Sequence, residues 1–135
     1  MVALAVRTFG QKPVVCYARP LLFQAHAALD RGSIVEAGCL LREAARLYAL
    51  AECEYFDCVP SKPQRQSPTA LVKALKSNVP GSGWDWLIEA VGHGNRLAHC
   101  QFVSRSKVEA SIAIVHLYLD CASYLIQPTS AGRLS

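Results

Sequence analysis

Apolar residues recur at helical spacing along most of the chain, and the longest such pattern runs from Ile34 to Tyr55. Steps of three and four residues connect its members, which are Ile34, Ala37, Leu41, Ala44, Tyr48, Ala51 and Tyr55. Further leucines widen this stripe, and charged residues occupy the other faces. A helix with so broad an apolar stripe is typical of the centre of a bundle. We predict that this helix ends near Cys58, before Pro60.

Shorter helical patterns flank this central element. The predicted helices run from Pro20 to Gly32, from Ser33 to Cys58, from Ser67 to Ser77, from Trp84 or Asp85 to Cys100, and from Ser106 to Gln127. Ser33-x-x-Glu36 and Ser106-x-x-Glu109 have the pattern of capping boxes, and Ser67-Pro68 that of an N-cap followed by a first helical residue. With no convincing run of strands, the sequence predicts an all-α fold, an antiparallel four-to-five-helix bundle. It would occupy residues 20–127, between an N-terminal arm (1–19) and a flexible tail (128–135).

The last predicted helix is apolar on nearly every side. One side carries Val108, Ile112, Val115, Leu119, Ala122 and Ile126, and the others carry Ile114, Leu117, Tyr118 and Leu125. Such a helix is expected at the centre of the bundle or at an interface. His26 and His116 lie among apolar residues and are interpreted as packing or interface groups. Trp84 and Trp86 are interpreted as core anchors rather than as platforms on which bases stack.

Composition supports a large core and a weakly basic surface. The chain is 52% hydrophobic and 18% charged, whereas an average domain is about 25% charged. This balance indicates either an extensive core or an apolar surface covered by a second copy of the chain. The net charge of +4 permits weak attraction to nucleic acid but does not require it.

The cysteines and the hydropathy pattern favour a cytoplasmic protein. None of the six cysteines forms Cys-x-x-Cys, so reduced thiols are expected. No signal peptide is evident, and the segment from Ile112 to Ile126 is too short and too polar to span a membrane. A zinc site built from Cys53, Cys58, His93, His99 and Cys100 matches no standard spacing. We therefore predict no metal and no cofactor.

The segment GNRLAH, residues 94–99, is the main candidate for chemistry. On a helix, Asn95 and Arg96 lie four and three residues before His99, so the three side chains share a face. An amide, a forked guanidinium and an imidazole can together bind a phosphate, with His93 on the flank. Gly92 and Gly94 each weaken a helix by about 1 kcal/mol. They indicate a close backbone approach, a kink, or a helix boundary at which Asn95 would be a cap.

The same segment resembles a known family. Gly94 to His99 is similar to the Gly-Asn-x-x-Ala-His signature of a branch of the HEPN superfamily, which often occurs in prokaryotic defence systems. Leu41-Arg42-Glu43-Ala44 resembles the Leu-Arg-x-Ala sequence of that superfamily's second helix. The short helix, loop, signature helix and final apolar helix follow in the expected order, so the resemblance covers about residues 20–127.

The resemblance implies a small helical bundle that is commonly a homodimer. In its ribonuclease members, an Arg and a His separated by four to six residues form the active site at the dimer cleft. His99 matches the His, and Asn95 matches the Asn that often follows the Arg. The Arg position falls on Gly94, or on His93 or Gly92 with longer spacing, so the motif Arg is missing. We therefore expect a homodimeric binding domain.

Its partner would be a nucleotide, a nucleic acid such as RNA, or a protein, bound through Asn95, Arg96, His99 and His93. The first alternative is a divergent metal-independent ribonuclease. In it, His99 would be the general acid or base, and Arg96 would stabilise the charged phosphorane. The second alternative is a structural dimerisation module with no ligand.

Overall fold

A computed structural model describes residues 17–81 and 83–122. This part of the chain contains five α-helices, one 3-10 helix and no strand, which confirms the all-α prediction. The described part of α1 covers residues 17–30, and it is followed by α2 (Ile34–Tyr55), the 3-10 helix Lys62–Gln66, α3 (Pro68–Asn78), α4 (Trp84–Ala98) and α5 (Arg105–Asp120). Residues 17–19 are already helical before Pro20, and Ala18 is buried. The predicted tail 128–135 and the predicted arm up to residue 16 lie outside the described residues.

The 22-residue helix α2 is the centre of the bundle, as its apolar stripe predicts. It packs against α3, α4 and α5. The stripe residues Ala37, Leu41, Ala44, Tyr48 and Ala51 are all buried, and Leu40, Leu47 and Leu50 pack around them. Burial of so many apolar side chains along one helix is the main favourable contribution to folding.

Two predicted helix ends are confirmed at atomic detail. After α1, Gly32 adopts a positive φ of 82°, and the N–H of Ser33 donates to the carbonyl of Ala28 at 2.8 Å. This is the glycine-terminated arrangement that satisfies the last carbonyls of a helix. At the start of α3, the Ser67 hydroxyl accepts from the N–H of Ala70 at 3.2 Å, and Pro68 follows as the first helical residue.

Neither predicted capping box forms. Ser33 is the N-cap of α2 but its side chain makes no capping hydrogen bond, and Glu36 pairs with Arg31 at 3.1 Å. The helix α5 begins one residue before Ser106. Ser104 is its N-cap and accepts from the N–H of Lys107 at 3.4 Å, while Glu109 pairs with Arg105 at 2.9 Å. In both cases the glutamate of the predicted box pairs with a nearby arginine instead of with the backbone.

Three other predicted boundaries change. The helix α2 ends at Tyr55 rather than near Cys58, and α5 ends at Asp120, with Cys121 as its C-cap, rather than at Gln127. The helix α4 ends at Ala98 and passes through Gly92 and Gly94 without interruption. The alternative in which a new helix begins with Asn95 as its cap is therefore wrong.

The helices α2 and α4 cross in close contact at two glycines. A Cβ atom on Gly38 would lie 2.4 Å from the Cβ of Leu97, a distance that real side chains do not tolerate. A Cβ atom on Gly94 would lie 3.2 Å from both the Gly38 carbonyl oxygen and the Arg42 Cβ. The predicted close backbone approach is therefore present at Gly94. Nothing lies within 4 Å of a Cβ on Gly92, and nothing in the structure explains a glycine there.

Helix α5 is buried on one side only, so it does not lie at the centre of the bundle, and the alternative position at an interface stays a prediction. Val108, Ile112, Val115 and Leu119 face the core, but Ala110 and Ala113 are exposed and Leu117 is 51% exposed. Of the two tryptophans, Trp84 is buried as predicted and Trp86 is 62% exposed, so the latter is not a core anchor. No helix within residues 17–81 and 83–122 is long and apolar enough to cross a membrane.

Candidate functional site

Asn95 connects three helices. It lies near the end of α4, where its Oδ1 accepts from the Nε of Arg42 on α2 at 2.6 Å. Its Nδ2 donates to the Oγ1 of Thr69 on α3 at 2.9 Å. Both contacts are partly buried, where a hydrogen bond is less weakened by water than at the surface. The amide is therefore fixed between its neighbours rather than projecting freely toward a ligand.

Arg42 differs from four other arginines of the described structure in that its side-chain partner carries no charge. Four others pair with a carboxylate within hydrogen-bonding distance, in the pairs Arg19–Asp120, Arg31–Glu36, Arg46–Glu43 and Arg105–Asp30. The partner of Arg42 is the neutral amide of Asn95. Within the described parts of the chain, no carboxylate lies at ion-pairing distance from Arg42, and its Nε is the only nitrogen engaged. A half-buried guanidinium is thus held in place with no carboxylate partner among the described residues.

Arg96 and His99 are both exposed at the end of α4. His99 is the C-cap residue, and the chain then turns through Cys100, which has a positive φ of 59°. The N–H of Gln101 donates to the Arg96 carbonyl at 2.8 Å and closes the helix. No hydrogen bond within residues 17–81 and 83–122 restrains the Arg96 guanidinium or the His99 imidazole, so both side chains are available to a partner.

His93 lies on another side of α4. It is 5% exposed, and its Nδ1 is 2.8 Å from the hydroxyl of Ser111 on α5. Burial, and after it the positive charge of Arg96, lower the pKa of His93 below its ordinary value. An imidazole that is neutral and hydrogen-bonded within the fold contributes to the packing of α4 on α5.

The predicted site residues therefore separate into three groups. Arg96 and His99 lie on the exposed end of α4, Asn95 is directed toward α2 and α3, and His93 is directed toward α5. Two further residues join the site. The sequence distinguishes Arg42 only as part of the segment Leu41-Arg42-Glu43-Ala44. Thr69 is missed altogether, because nothing in its local sequence distinguishes it from an ordinary first-turn threonine.

The cysteines have no evident catalytic arrangement in the described structure. Cys53 is buried, its Sγ donates to the Leu71 carbonyl at 3.4 Å, and burial is the main cause that raises the pKa of its thiol. A thiol with a raised pKa is a poor nucleophile. Among the residues that the structure describes, no group of three or more His, Cys, Asp or Glu side chains could hold a metal ion.

Comparisons of the chain with protein-family models, curated proteins and solved structures find no match. A functional assignment must therefore depend on the site itself: a fixed and uncompensated Arg42, the two exposed donors Arg96 and His99, and the amide of Asn95 between the helices that carry them.

Proposed function

We propose that the chain is a HEPN-like homodimeric binding domain that recognises the phosphate groups of a nucleotide or of RNA. The observation that carries the proposal is the uncompensated charge of Arg42, which Asn95 holds at 2.6 Å beside the last turns of α4. A guanidinium fixed by a neutral partner keeps its two terminal nitrogens for an anion. That forked donor set matches a phosphate.

Arg96 and His99 complete the proposed phosphate site. Both are exposed near the end of α4, and Asn95, the residue that positions Arg42, precedes His99 by one helical turn. Arg96 supplies a second forked set of donors, and His99 supplies an imidazole N–H to the anion. In this proposal Asn95 and Thr69 are positioning residues, and the ligand is bound by Arg42, Arg96 and His99.

The arrangement of helices supports the HEPN-like part of the proposal. Thr69 at the start of α3 contacts Asn95 near the end of α4, and Lys76 near the end of α3 pairs with Asp85 near the start of α4. Such contacts are those expected of antiparallel neighbours in a bundle. The signature segment ends the helix that packs on α2, where Arg42 belongs to the second stretch resembling the superfamily.

An exposed apolar face supports the homodimer. We define the α4/α5 face by Trp86, Ala110, Ile114 and Leu117, which line a groove of about 440 Å³. Glu89 and Lys107 also line this groove, and neither has an ion-pair partner within the described residues. In a two-fold dimer a surface meets its own copy. The proposed dimer pairs Glu89 of each subunit with Lys107 of the partner subunit.

The ribonuclease alternative ranks below binding. General acid or base catalysis needs an imidazole held in a productive orientation, and within residues 17–81 and 83–122 no side chain bonds to the His99 ring. Arg96, the proposed stabiliser of the phosphorane, also has no orienting partner there. RNA cleavage abolished by His99→Ala in metal-free buffer would nevertheless establish the enzyme and replace the binding proposal.

Fluorescence anisotropy with a labelled single-stranded RNA, with unlabelled ATP as competitor, tests the proposal. Arg42→Gln is expected to weaken RNA binding at least tenfold and to reduce its dependence on salt. Arg31→Gln is the matched control, because it removes the same charge from an exposed ion pair with Glu36. Displacement of RNA by ATP indicates a nucleotide site, and RNA binding that ATP does not displace indicates an RNA site. Equal weakening by the two substitutions would show binding to net charge alone and would refute the proposal.

A further inference from the structure

A second site lies between α2, α4 and α5, away from the signature segment. A cavity of about 210 Å³ is lined there by Tyr48, Glu52, Phe56, Val79, Trp84, Tyr118 and Cys121. Four of these residues are aromatic, and Glu52 carries a carboxyl group. The proposed phosphate site uses none of them.

Hydrogen bonds fix the aromatic walls of the cavity. The Trp84 indole Nε1 donates to the Val79 carbonyl at 2.8 Å, and the Tyr118 hydroxyl donates to the carbonyl of Gly83. The ring centroids of Trp84 and Tyr118 are 5.8 Å apart, and those of Tyr48 and Tyr118 are 6.0 Å apart with the rings edge to face. Because the polar ends of Trp84 and Tyr118 are tied to the backbone, their rings are rigid surfaces of the cavity.

Glu52 adds a carboxyl group to the aromatic lining of this cavity. It is 1% exposed, and its Oε2 accepts from the Tyr48 hydroxyl at 2.9 Å. The side chain stands on α2, one turn after Tyr48, and both line the cavity. In so low a dielectric the ionised form of a carboxyl group attracts a cation more strongly than it would in water, and a bound cation in turn favours that form.

We propose that this cavity binds a small organic cation, such as a quaternary or alkylated ammonium group. The faces of Trp and Tyr rings attract cations through their quadrupoles, and aromatic cages recognise methylated ammonium groups in this way. An inorganic ion would have to give up its hydration for one carboxyl group, whereas an alkylated ammonium loses little hydration and gains contact with the rings. The volume is below the roughly 300–1,000 Å³ of pockets for drug-sized ligands, so the ligand is a small headgroup.

Choline, tetramethylammonium and 3,3-dimethyl-1-butanol are the probes that test the proposal. The last compound has the shape of choline without its charge. In Trp86→Phe, Trp84 is the sole tryptophan of the chain and reports directly on the cavity. We expect a saturable change in Trp84 fluorescence with choline and tetramethylammonium at constant ionic strength, and at least tenfold weaker binding of the neutral alcohol.

Two substitutions in the Trp86→Phe background connect the signal to the cavity. Glu52→Gln is expected to weaken choline binding at least tenfold, and Phe56→Leu to weaken it severalfold because an aromatic face is lost while apolar bulk remains. Phe23→Leu is the matched control, since Phe23 is exposed on α1 and does not line the cavity. If Glu52→Gln does not fold, Phe56→Leu decides the question. Equal affinity for choline and the neutral alcohol, no saturable response, or equal effects of the two phenylalanine substitutions would each overturn the proposal.

Discussion

Asn95 accepts a hydrogen bond from the Arg42 side chain at 2.6 Å, and this contact serves both packing and the proposed phosphate site. It connects α2 to α4, while the bond from Asn95 to Thr69 connects α4 to α3. The same amide leaves the guanidinium charge uncompensated. Stability and ligand affinity therefore depend on one side chain in ways that substitutions can separate.

Replacing Asn95 by Asp should separate them. The carboxylate can accept from both Arg42 and the Thr69 hydroxyl, so we expect stability within about 1 kcal/mol of the native protein. Its charge compensates Arg42, so RNA affinity should fall at least tenfold. Asn95→Ala leaves both partners unsatisfied and should cost about 1–3 kcal/mol. Urea unfolding and RNA anisotropy measure the two effects, and unchanged RNA affinity in Asn95→Asp would contradict the role given to Arg42.

Adding one methyl group to each of two helical glycines should have opposite effects on stability. Gly38→Ala places a Cβ 2.4 Å from the Cβ of Leu97, and overpacking of this kind costs about 1–3 kcal/mol. Gly92→Ala meets nothing within 4 Å and should gain up to about 1 kcal/mol from its better helix propensity. Thermal or urea unfolding compares the two variants. A stabilised Gly38→Ala protein would mean that α2 and α4 do not cross as described.

The sequence predicts elements whose signals are local. The apolar stripe of α2, the stop at Gly32 and the N-cap at Ser67 all depend on neighbouring residues, and all three are confirmed. The predicted capping boxes are wrong: the Ser33 side chain makes no capping bond, Ser104 rather than Ser106 caps α5, and both glutamates pair with arginines. Helix ends are decided by such small differences in free energy.

The candidate site is predictable only in part, because its contacts join residues far apart in the chain. Helical spacing places Asn95, Arg96 and His99 near one another but does not show that Asn95 is directed inward. Arg42 lies 53 residues from Asn95 and Thr69 lies 26 residues from it. No local pattern reveals such pairings, and only the packing of α2, α3 and α4 brings these side chains together.

Mild acid should destabilise the fold through His93. Burial and Arg96 lower the pKa of His93 in the folded state. As the pH falls below about 6.5, His93 is therefore protonated in the unfolded chain at a higher pH than in the folded protein. The free energy of unfolding should be fully retained above that pH. It should decrease as the pH falls further, until the pH is below the lower pKa of His93 in the folded state. Burial and Arg19 shift the pKa of His116 in the same direction.

Urea unfolding at about pH 7.5 and about pH 5.5 measures this effect. His93→Asn preserves a polar partner for Ser111 and should reduce the loss of stability between the two pH values. His116→Asn serves as the comparison for the second histidine. If His93→Asn retained the whole pH dependence of the native protein, His93 would not be its source.

Exchange of charges across the α4/α5 face tests the proposed dimer. Glu89→Lys and Lys107→Glu should each weaken self-association, because like charges then meet across a two-fold axis. An equimolar mixture of the two variants should form heterodimers, since each of the two contacts between positions 89 and 107 would then join a lysine to a glutamate. Analytical ultracentrifugation measures the association of each variant and of the mixture. If Glu89 paired with Lys107 of its own chain, mixing the two variants would not restore association. A native protein that remains monomeric at all concentrations would refute the proposed dimer.

The crossing of α2 and α4 at Gly38 and Gly94 also restricts how this protein can evolve. Arg42 stands on one of these helices and Arg96 on the other, and the spacing between the two helices is set by the absence of two side chains. Enlarging either glycine would displace the core and the proposed phosphate site together. Exposed side chains such as Arg96 and His99 can therefore be exchanged freely, whereas residues at the crossing of α2 and α4 can change little without loss of packing.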